Sequence, residues 1–253
     1  GAIGTDSDIL VTRSSDNGAT WTPPAPLNTN AGSDTSGDNQ PSLTTDRAGT
    51  WMAVWDSSEN IGGVLGTDSD ILFALSSNNG TTWSAPSPLN TTAAADSAGD
   101  GYAHVVSDGN GAWIAAWESD NDLDGTIGSD TDLLVALSTD QGATWTPPVP
   151  LNANAATDAL AYDAGPRLAT DMRGQWAGIW YSDNDFGGTV GMDYDLPVAR
   201  FGIADCNGNF IADVHDVESG ASIDCNTNGV PDECEGGNDA NGNGIPDCLE
   251  MQI

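Results

Sequence analysis

The sequence repeats itself with a period of 62 to 63 residues. Trp21, Trp83 and Trp145 are spaced by 62, and two further tryptophan series with the same period account for all nine tryptophans. The phrase G-T-D-S-D-I-L at Gly4 recurs unchanged at Gly66 and in altered form twice more. Self-similarity of this kind predicts an architecture of stacked supersecondary units, so one repeat constrains the whole fold.

Each repeat contains four short apolar segments separated by turn-forming residues. In the first complete repeat we expect strand A over residues 41–45, B over 51–56, C over 70–76 and D over 82–89. The 31 glycines and 13 prolines favour turns, and no long stretch has the apolar period of a helix. Four antiparallel strands per repeat are the content of one propeller blade, which predicts an all-β fold.

A second phrase lies between strands C and D of each repeat. It reads S-S-D-N-G-A-T-W over residues 14–21, S-S-N-N-G-T-T-W over 76–83 and S-T-D-Q-G-A-T-W over 138–145. These segments resemble the Asp-box, or bacterial neuraminidase repeat, of sialidase-like β-propellers. An Asx side chain caps such a turn, Gly18 or its equivalent supplies a positive φ, and the tryptophan packs between blades. The resemblance implies blades but no particular reaction.

The predicted strands do not make up a whole propeller. They run C-D, then A-B-C-D twice, then A-B-C, whereas closed propellers have about four to eight blades. We therefore expect further blades upstream, or copies that complete one another as a ring or fibre through unpaired edges. The predicted domains are a partial blade over residues 1–28, repeats over 29–90, 91–152 and 153–204, and a separate tail over 205–253.

The tail has the spacing of calcium-binding loops. It contains 11 acidic residues without one lysine or arginine, and three twelve-residue windows place oxygen ligands as an EF-hand loop does. The predicted ligands are Asp205, Asn207, Asn209, Ile211, Asp213 and Asp216; then Asp224, Asn226, Asn228, Val230, Asp232 and Glu235; then Asp239, Asn241, Asn243, Ile245, Asp247 and Glu250. The segment resembles dockerin and thrombospondin type 3 repeats, which implies bound Ca²⁺.

All four cysteines lie in this tail, at Cys206, Cys225, Cys234 and Cys248. Their spacing contains no C-x2-C pair, so two disulfides are favoured over a zinc site, and three pairings stay open. Disulfides together with calcium loops predict a secreted, extracellular or cell-surface protein.

Charge excludes several kinds of partner. The chain has 38 Asp and Glu against 5 Lys and Arg, a formal net charge of −33. Nucleic acids and anionic membrane surfaces are bound through Lys and Arg, so neither is an expected partner. No apolar run reaches the roughly 18 residues of a membrane span. Calcium ions, other copies of the chain and glycans remain.

Catalytic residues of the sialidase kind are incomplete. The resemblance implies an arginine triad, a Tyr/Glu nucleophile, an Asp acid/base and an R-I-P phrase, and the phrase is missing. Only one arginine falls on a predicted strand A, and its equivalents in the other repeats are a serine and a histidine. These three residues are the predicted ligand channel: Ser42, His104 and Arg167. The other available groups are Glu118, Tyr102, Tyr162, Tyr181 and Tyr194.

Carboxylates also concentrate in the loops between strands B and C, where they predict further calcium sites. The candidates are Asp68, Asp70, Asp120, Asp122, Asp124, Asp130, Asp132, Asp193 and Asp195. The alternative is that these residues cap turns and keep the surface soluble.

The sequence therefore predicts an extracellular, calcium-binding structural or adhesive protein that self-associates through open blade edges and is not itself catalytic. The alternative is part of a sialidase-like glycoside hydrolase or glycan-binding propeller whose catalytic blades lie upstream.

Overall fold

A computed structural model of the protein describes residues 3–158, 161–172, 174–186, 188, 193–202, 217, 220, 222–225 and 231–234. Regular structure in these residues consists of thirteen β-strands and short helical turns, including Ile61–Gly63 and Asp232–Cys234. The all-β prediction is confirmed. No helix in the described part of the chain is long and apolar enough to cross a membrane.

The strands form four sheets, of two, four, four and three strands, in which the order follows the chain. The first sheet contains β1 (Leu10–Val11) and β2 (Ala25–Pro26); the second contains β3 (Asp38–Thr45), β4 (Trp51–Ser57), β5 (Asp70–Ser76) and β6 (Ser87–Pro88). The third contains β7 (Asp100–Ser107), β8 (Trp113–Ser119), β9 (Asp132–Ser138) and β10 (Val149–Pro150); the fourth contains β11 (Asp163–Thr170), β12 (Gln175–Ser182) and β13 (Val198–Gly202).

These sheets are the predicted blades, in the predicted order C-D, A-B-C-D, A-B-C-D and A-B-C. The predicted strand D is too long. In the first complete repeat the strand covers only Ser87–Pro88 instead of residues 82–89. Thr82 is held in the preceding turn, where its N–H donates to Asn78 Oδ1 at 2.9 Å. Pro86 and Pro88 lack an N–H donor, so the ladder beside β5 stays short.

The core lies between neighbouring blades and inside them. One cluster joins Met52 and Ile71 of the second sheet to Trp113 and Trp117 of the third, all fully buried. The predicted packing of the Asp-box tryptophans is confirmed for Trp83 and Trp145, which are half-buried against the two core clusters. Trp21 differs, since 61% of its surface is exposed.

The Asp-box turns stabilise themselves. Asp16 accepts hydrogen bonds from the Thr20 N–H at 2.9 Å and the Thr20 hydroxyl at 2.6 Å, and Asp140 does the same with Thr144. The hydrogen bond from the Thr20 hydroxyl is the largest cause that lowers the pKa of Asp16 to about 2. The predicted capping role is confirmed, and it uses both oxygens of each carboxylate.

Equivalent turn glycines differ in the room around them, which gives a matched pair of variants. Gly18 and Gly142 both have φ of +83°, so alanine strains either backbone. A Cβ at Gly18 meets only the edge of Trp21 at 4.0 Å, whereas at Gly142 it lies 2.2 Å from the Met52 Cε, in the core. We expect Gly18→Ala to cost about 1 kcal/mol and Gly142→Ala about 3 kcal/mol, as overpacking adds to the strain. Urea denaturation of both variants tests this, and equal losses would contradict it.

The chain divides into two compact units, one of Gly1–Ala169 with Ala177–Ala199 and one of Thr170–Trp176 with Arg200–Ile253. Two predicted tail ligands, Asp224 and Asp232, belong to the described residues. Both oxygens of buried Asp232 accept the Cys225 N–H at 3.2 Å. The remaining tail ligands, together with Cys206 and Cys248, lie outside the described residues. Tail calcium binding, the disulfides and the domain boundary at residue 205 stay predictions.

Candidate functional site

The first strands of the blades, β3, β7 and β11, each form one edge of their sheet. In β3 the pairing with β4 shifts between Asn39 and Ser42, and in β7 the pairing with β8 shifts between Gly101 and His104. Such bulges turn a side chain away from its regular direction and are frequent beside binding sites.

The same repeat position lies in the left-handed region in all three of these strands. The three equivalent residues are Gln40, Tyr102 and Gly165, with φ of +50°, +54° and +60°. Only the third is a glycine, and a Cβ there would lie 3.1 Å from the ring of Tyr181. Glycine at this position therefore leaves room for Tyr181, while Tyr102 presents its own ring to solvent.

Hydrogen bonds between blades hold these edges together. The side chain of Gln40 accepts the Tyr102 N–H at 3.0 Å. In the next pair of blades, Glu118 Oε2 accepts the Gly165 N–H at 3.2 Å. The N–H groups of Tyr102 and Gly165 are thus bonded to the neighbouring blade, which fixes the backbone of the site at these two positions.

A cleft of about 330 Å³ opens where the third sheet, β7–β10, meets the fourth sheet, β11–β13. We call it the tyrosine cleft, because it contains all four tyrosines of the sequence. Each tyrosine is between 41% and 65% exposed, so every ring offers surface to a ligand. The lining residues are Tyr102, Glu118, Tyr162, Ala164, Gly165, Arg167, Tyr181 and Tyr194.

Glu118 is the titratable acid of the cleft. Its carboxyl group is half-buried, and burial, followed by the charge of Asp56, raises its pKa above the usual range for glutamate. The pKa of the Tyr162 phenol is also raised, first by burial and then by the charge of Glu118. A glutamic acid with a raised pKa keeps its proton to a higher pH and can donate it to a ligand.

The predicted ligand channel adjoins this cleft. Ser42, His104 and Arg167 lie together in a pocket of about 420 Å³ that shares Tyr102 and Arg167 with the tyrosine cleft. His104 Nδ1 accepts the Leu168 N–H at 3.1 Å, so the neutral ring carries its proton on Nε2. Burial, and then the charge of Arg167, lower the pKa of His104, which keeps the ring neutral.

The loop carboxylates predicted to bind metal separate into two groups. Asp68 and Asp70 lie together, as do Asp130 and Asp132, and a third aspartate joins each pair. Asp120, Asp122 and Asp124 are exposed and lie outside these groups, and the Asp120 carboxylate caps the Gly99 N–H at 2.5 Å. Asp193 is exposed, and Asp195 exchanges backbone hydrogen bonds with Ser182. Calcium at these sites stays a prediction.

Sequence reasoning found the members of the tyrosine cleft but not their assembly. Tyr181 occupies the repeat position of Glu118, and Gly165 occupies that of Tyr102, so periodicity alone places these four residues on the first two strands of neighbouring blades. The missing signal is the bulge, because regular alternation would turn Tyr102 to another face.

Comparison with known proteins identifies the fold. No protein-family model and no curated protein matches the sequence. Among solved structures, the chain is similar to a Hadza microbial sialidase, with a TM-score of 0.51 and 18% identity over 75% of this chain and 40% of that one. It is also similar to a protein of unknown function from Dyadobacter fermentans, with a TM-score of 0.53 and 16% identity over 79% and 56% of the two chains. The chain spans about half the length of these structures or less, and it has the fold of sialidase-type propeller blades.

Proposed function

We propose that the tyrosine cleft binds a saccharide and that the chain is part of an extracellular glycan-binding or glycan-processing propeller. The observation that carries this proposal is the gathering of all four tyrosines around one glutamate and one arginine. Exposed tyrosine rings offer flat apolar faces with a polar tip, which suits the C–H faces and hydroxyls of a sugar. The likeness to a sialidase supports the same class of ligand.

The charge of the protein favours a neutral saccharide. The formal net charge is −33, and Glu118 adds a carboxyl group inside the cleft. Arg167 is the one cation among the lining residues and already donates to the Pro166 carbonyl at 2.7 Å. An anionic sugar would meet repulsion that a single arginine only partly offsets, whereas a neutral sugar meets none.

Hydrolysis is the second candidate function, and the raised pKa of Glu118 favours it. Glycoside hydrolases usually need an acid and a second carboxylate. Asp56 occupies the repeat position of Glu118 in the preceding blade, and its charge acts on Glu118. Glu118 would protonate the leaving oxygen, whereas Asp56 is 8% exposed and is not among the residues that line the cleft, so a second carboxylate would have to come from outside this lining.

The expected self-association through calcium stays a separate prediction. The comparisons favour the glycan alternative over a purely structural role, since one of the similar structures with a named activity is a sialidase. Export from the cell remains an expectation from the tail.

Loss of Tyr102, which occupies the bulge position in β7, or of Tyr181, which lies beside Gly165, should weaken binding. Tyr102→Ala and Tyr181→Ala are each expected to reduce affinity for neutral oligosaccharides at least about tenfold, as stacking on the ring is lost. Trp21→Ala removes an exposed aromatic ring outside the cleft and should leave affinity unchanged. Calorimetry against neutral oligosaccharides and sialyllactose measures this. Preference for sialyllactose would contradict the neutral class, and equal affinity of all variants would overturn the site.

Glu118→Gln separates binding from hydrolysis. If the chain hydrolyses a bound oligosaccharide, this variant should retain affinity and lose about a hundredfold or more in rate, because the general acid is removed. Unchanged turnover in Glu118→Gln would remove Glu118 from the reaction and leave binding as the function.

A further inference from the structure

Three groups of aspartates recur with the blade period. Within each group, every residue offers one carboxylate oxygen, and the three oxygens lie within 4.8 Å of one another. We call these groups the aspartate triads: Asp6, Asp8 and Asp34; Asp68, Asp70 and Asp96; Asp130, Asp132 and Asp158. Two members come from the D-x-D phrase before strand C. The third ends an A-x-x-D phrase in the loop that leads to the next blade.

The triads lie where one blade meets the next. The middle residue of each D-x-D phrase accepts a backbone N–H from the first residue of the following blade. Ser69 accepts from Asp100 at 2.7 Å, and Thr131 accepts from Asp163 at 3.0 Å. Residues two apart in an extended segment share a face, so the two aspartates of the phrase point the same way, toward the loop aspartate.

A buried asparagine fixes one oxygen of the second aspartate in each triad. The Asn28 amide donates to Asp8 at 3.1 Å, the Asn90 amide to Asp70 at 3.1 Å, and the Asn152 amide to Asp132 at 2.7 Å. The other oxygen of Asp132 is buried and has no hydrogen-bond partner, and only 1% of the residue surface is exposed. One oxygen is thus held by the fold while the other is left for a ligand.

The loop aspartate gives an independent indication of a cation site. Asp34 is 8% exposed, and neither of its buried oxygens has a hydrogen-bond partner. A buried carboxylate without a partner is strongly unfavourable, and native proteins normally satisfy it with a hydrogen bond, a cation or a metal. Instead, Asp6, Asp8 and Glu59 place further negative charge beside Asp34.

The same crowding acts on the other triads. Asp68 and Asp96 lie beside Asp70, and Asp130 and Asp158 lie beside Asp132, so three carboxylates crowd each cluster. The sequence has 5 Lys and Arg against 38 acids, so few side chains are available to neutralise three such clusters.

We propose that each aspartate triad binds one calcium ion, which fastens the loop after a blade to the start of strand C in that blade. Calcium takes six to eight oxygen ligands at about 2.3–2.6 Å, so ligand oxygens on opposite sides of the ion stand about 5 Å apart. The spacing of the triad oxygens falls within that limit. All donors are carboxylate oxygens, which suit a hard cation and exclude a thiolate or imidazole metal site.

Each ion stiffens one junction between blades. The asparagine that holds the metal-binding aspartate also donates to the first residue of the next blade, as Asn90 does to Asp100 at 2.6 Å. A continuous link therefore crosses the junction, from the calcium ion to the metal-binding aspartate, then to the asparagine, and then to the first aspartate of the next blade. The fourth D-x-D phrase, at Asp193 and Asp195, is not joined by a third carboxylate among the described residues, so the proposal covers three ions.

The test counts calcium ions on the full chain. Native mass spectrometry of the wild type and of the triple variant Asp34→Asn, Asp96→Asn, Asp158→Asn should differ by three ions per chain, whatever the tail binds. The single variants should each lose one ion. Asparagine keeps the shape and removes a charge from a repulsive cluster, so the metal-free variants are expected to fold. The control Asp16→Asn changes an exposed carboxylate outside the triads, at a turn position where the next repeat has Asn78, and should lose none.

Thermal unfolding gives a second measurement. Calcium is expected to raise the Tm of the wild type strongly and that of the triple variant much less, because only the folded state assembles the triads. Without metal, the triple variant should unfold at the same temperature as the wild type or a higher one, because one charge is removed from each repulsive cluster. Equal ion counts in the wild type and triple variant would overturn the proposal, and equally tight loading by magnesium would overturn the assignment to calcium.

Discussion

Asn90→Ala is expected to lower the free energy of unfolding by about 4 kcal/mol, one of the largest effects of any single substitution in this chain. The Asn90 side chain is 1% exposed and makes three buried contacts. Its amide donates to Asp70 at 3.1 Å and to Asp100 at 2.6 Å, and its oxygen accepts the Ile71 N–H at 3.2 Å. Leaving buried acceptors and a donor unpaired costs about 1–3 kcal/mol each, and more for charged groups.

Thermal unfolding of metal-free protein measures this loss. A decrease of about 4 kcal/mol corresponds to a Tm about 10 °C lower for a domain of this size. Asn110→Ala is the control, since Asn110 is exposed in a turn and should change stability by less than about 0.5 kcal/mol. Asn90→Asp should be worse at neutral pH than Asn90→Ala, because it adds a third carboxyl group between two others. A stable Asn90→Ala protein would show that the network is not required.

The repeat makes the blades predictable, and physical chemistry explains where prediction stops. Strand C was placed correctly as Asp70–Ser76 because turn phrases bound it on both sides. Strand D was placed too long, because the apolar pattern does not reveal that the Asx turn and two prolines limit pairing. The period therefore fixes which segments are strands, while local donors and acceptors fix where they end.

The carboxylate clusters illustrate the same limit. The D-x-D pairs at Asp68 and Asp130 were identified from the sequence, but their third members, Asp96 and Asp158, lie 28 residues further on. The A-x-x-D phrase that carries them repeats with the blade period, so the signal was present. The aspartates at residues 120–124 are dense in sequence, yet the first complete repeat has Ser58, Asn60 and Gly62 at the same positions. Periodicity is a better guide to a shared structural role than local density of charge.

The metal-free protein is expected to be more stable at pH 5 than at pH 8, the reverse of the usual behaviour of paired carboxylates. Burial raises the pKa of Asp38 to about 6 and that of Asp163 above its usual range. Burial, with smaller contributions from Asp96 and Asp70, raises the pKa of Asp100 well above its usual range. These three residues occupy one repeat position, at the start of β3, β7 and β11.

The sign follows from proton binding. An unfolded aspartate titrates near pH 4, so between that pH and the folded-state pKa the folded protein holds more protons than the unfolded chain. The contribution of these buried carboxyl groups to stability is therefore fully present below about pH 4, and it is lost as the pH rises toward 6 for Asp38 and higher for Asp100. The rise in the pKa of Asp38 from its usual 3.8 to about 6 alone corresponds to at most about 3 kcal/mol of the free energy of unfolding. With three such residues, the Tm at pH 8 should be several degrees lower than at pH 5.

Asp100→Asn tests the cause, because asparagine is neutral at both pH values and can still accept the Asn90 amide. The difference in Tm between pH 5 and pH 8 should shrink in this variant. Asp124→Asn removes the same charge from an exposed position and should leave the difference unchanged, which separates burial from the general repulsion of a chain with net charge −33.

A Tm that rises from pH 5 to pH 8 in metal-free protein would mean that these carboxyl groups are stabilised by their hydrogen bonds more than they are penalised by burial. In that case Trp55 and Trp180, whose indole N–H groups donate to Asp38 at 3.0 Å and Asp163 at 2.9 Å, would be the groups that hold them charged.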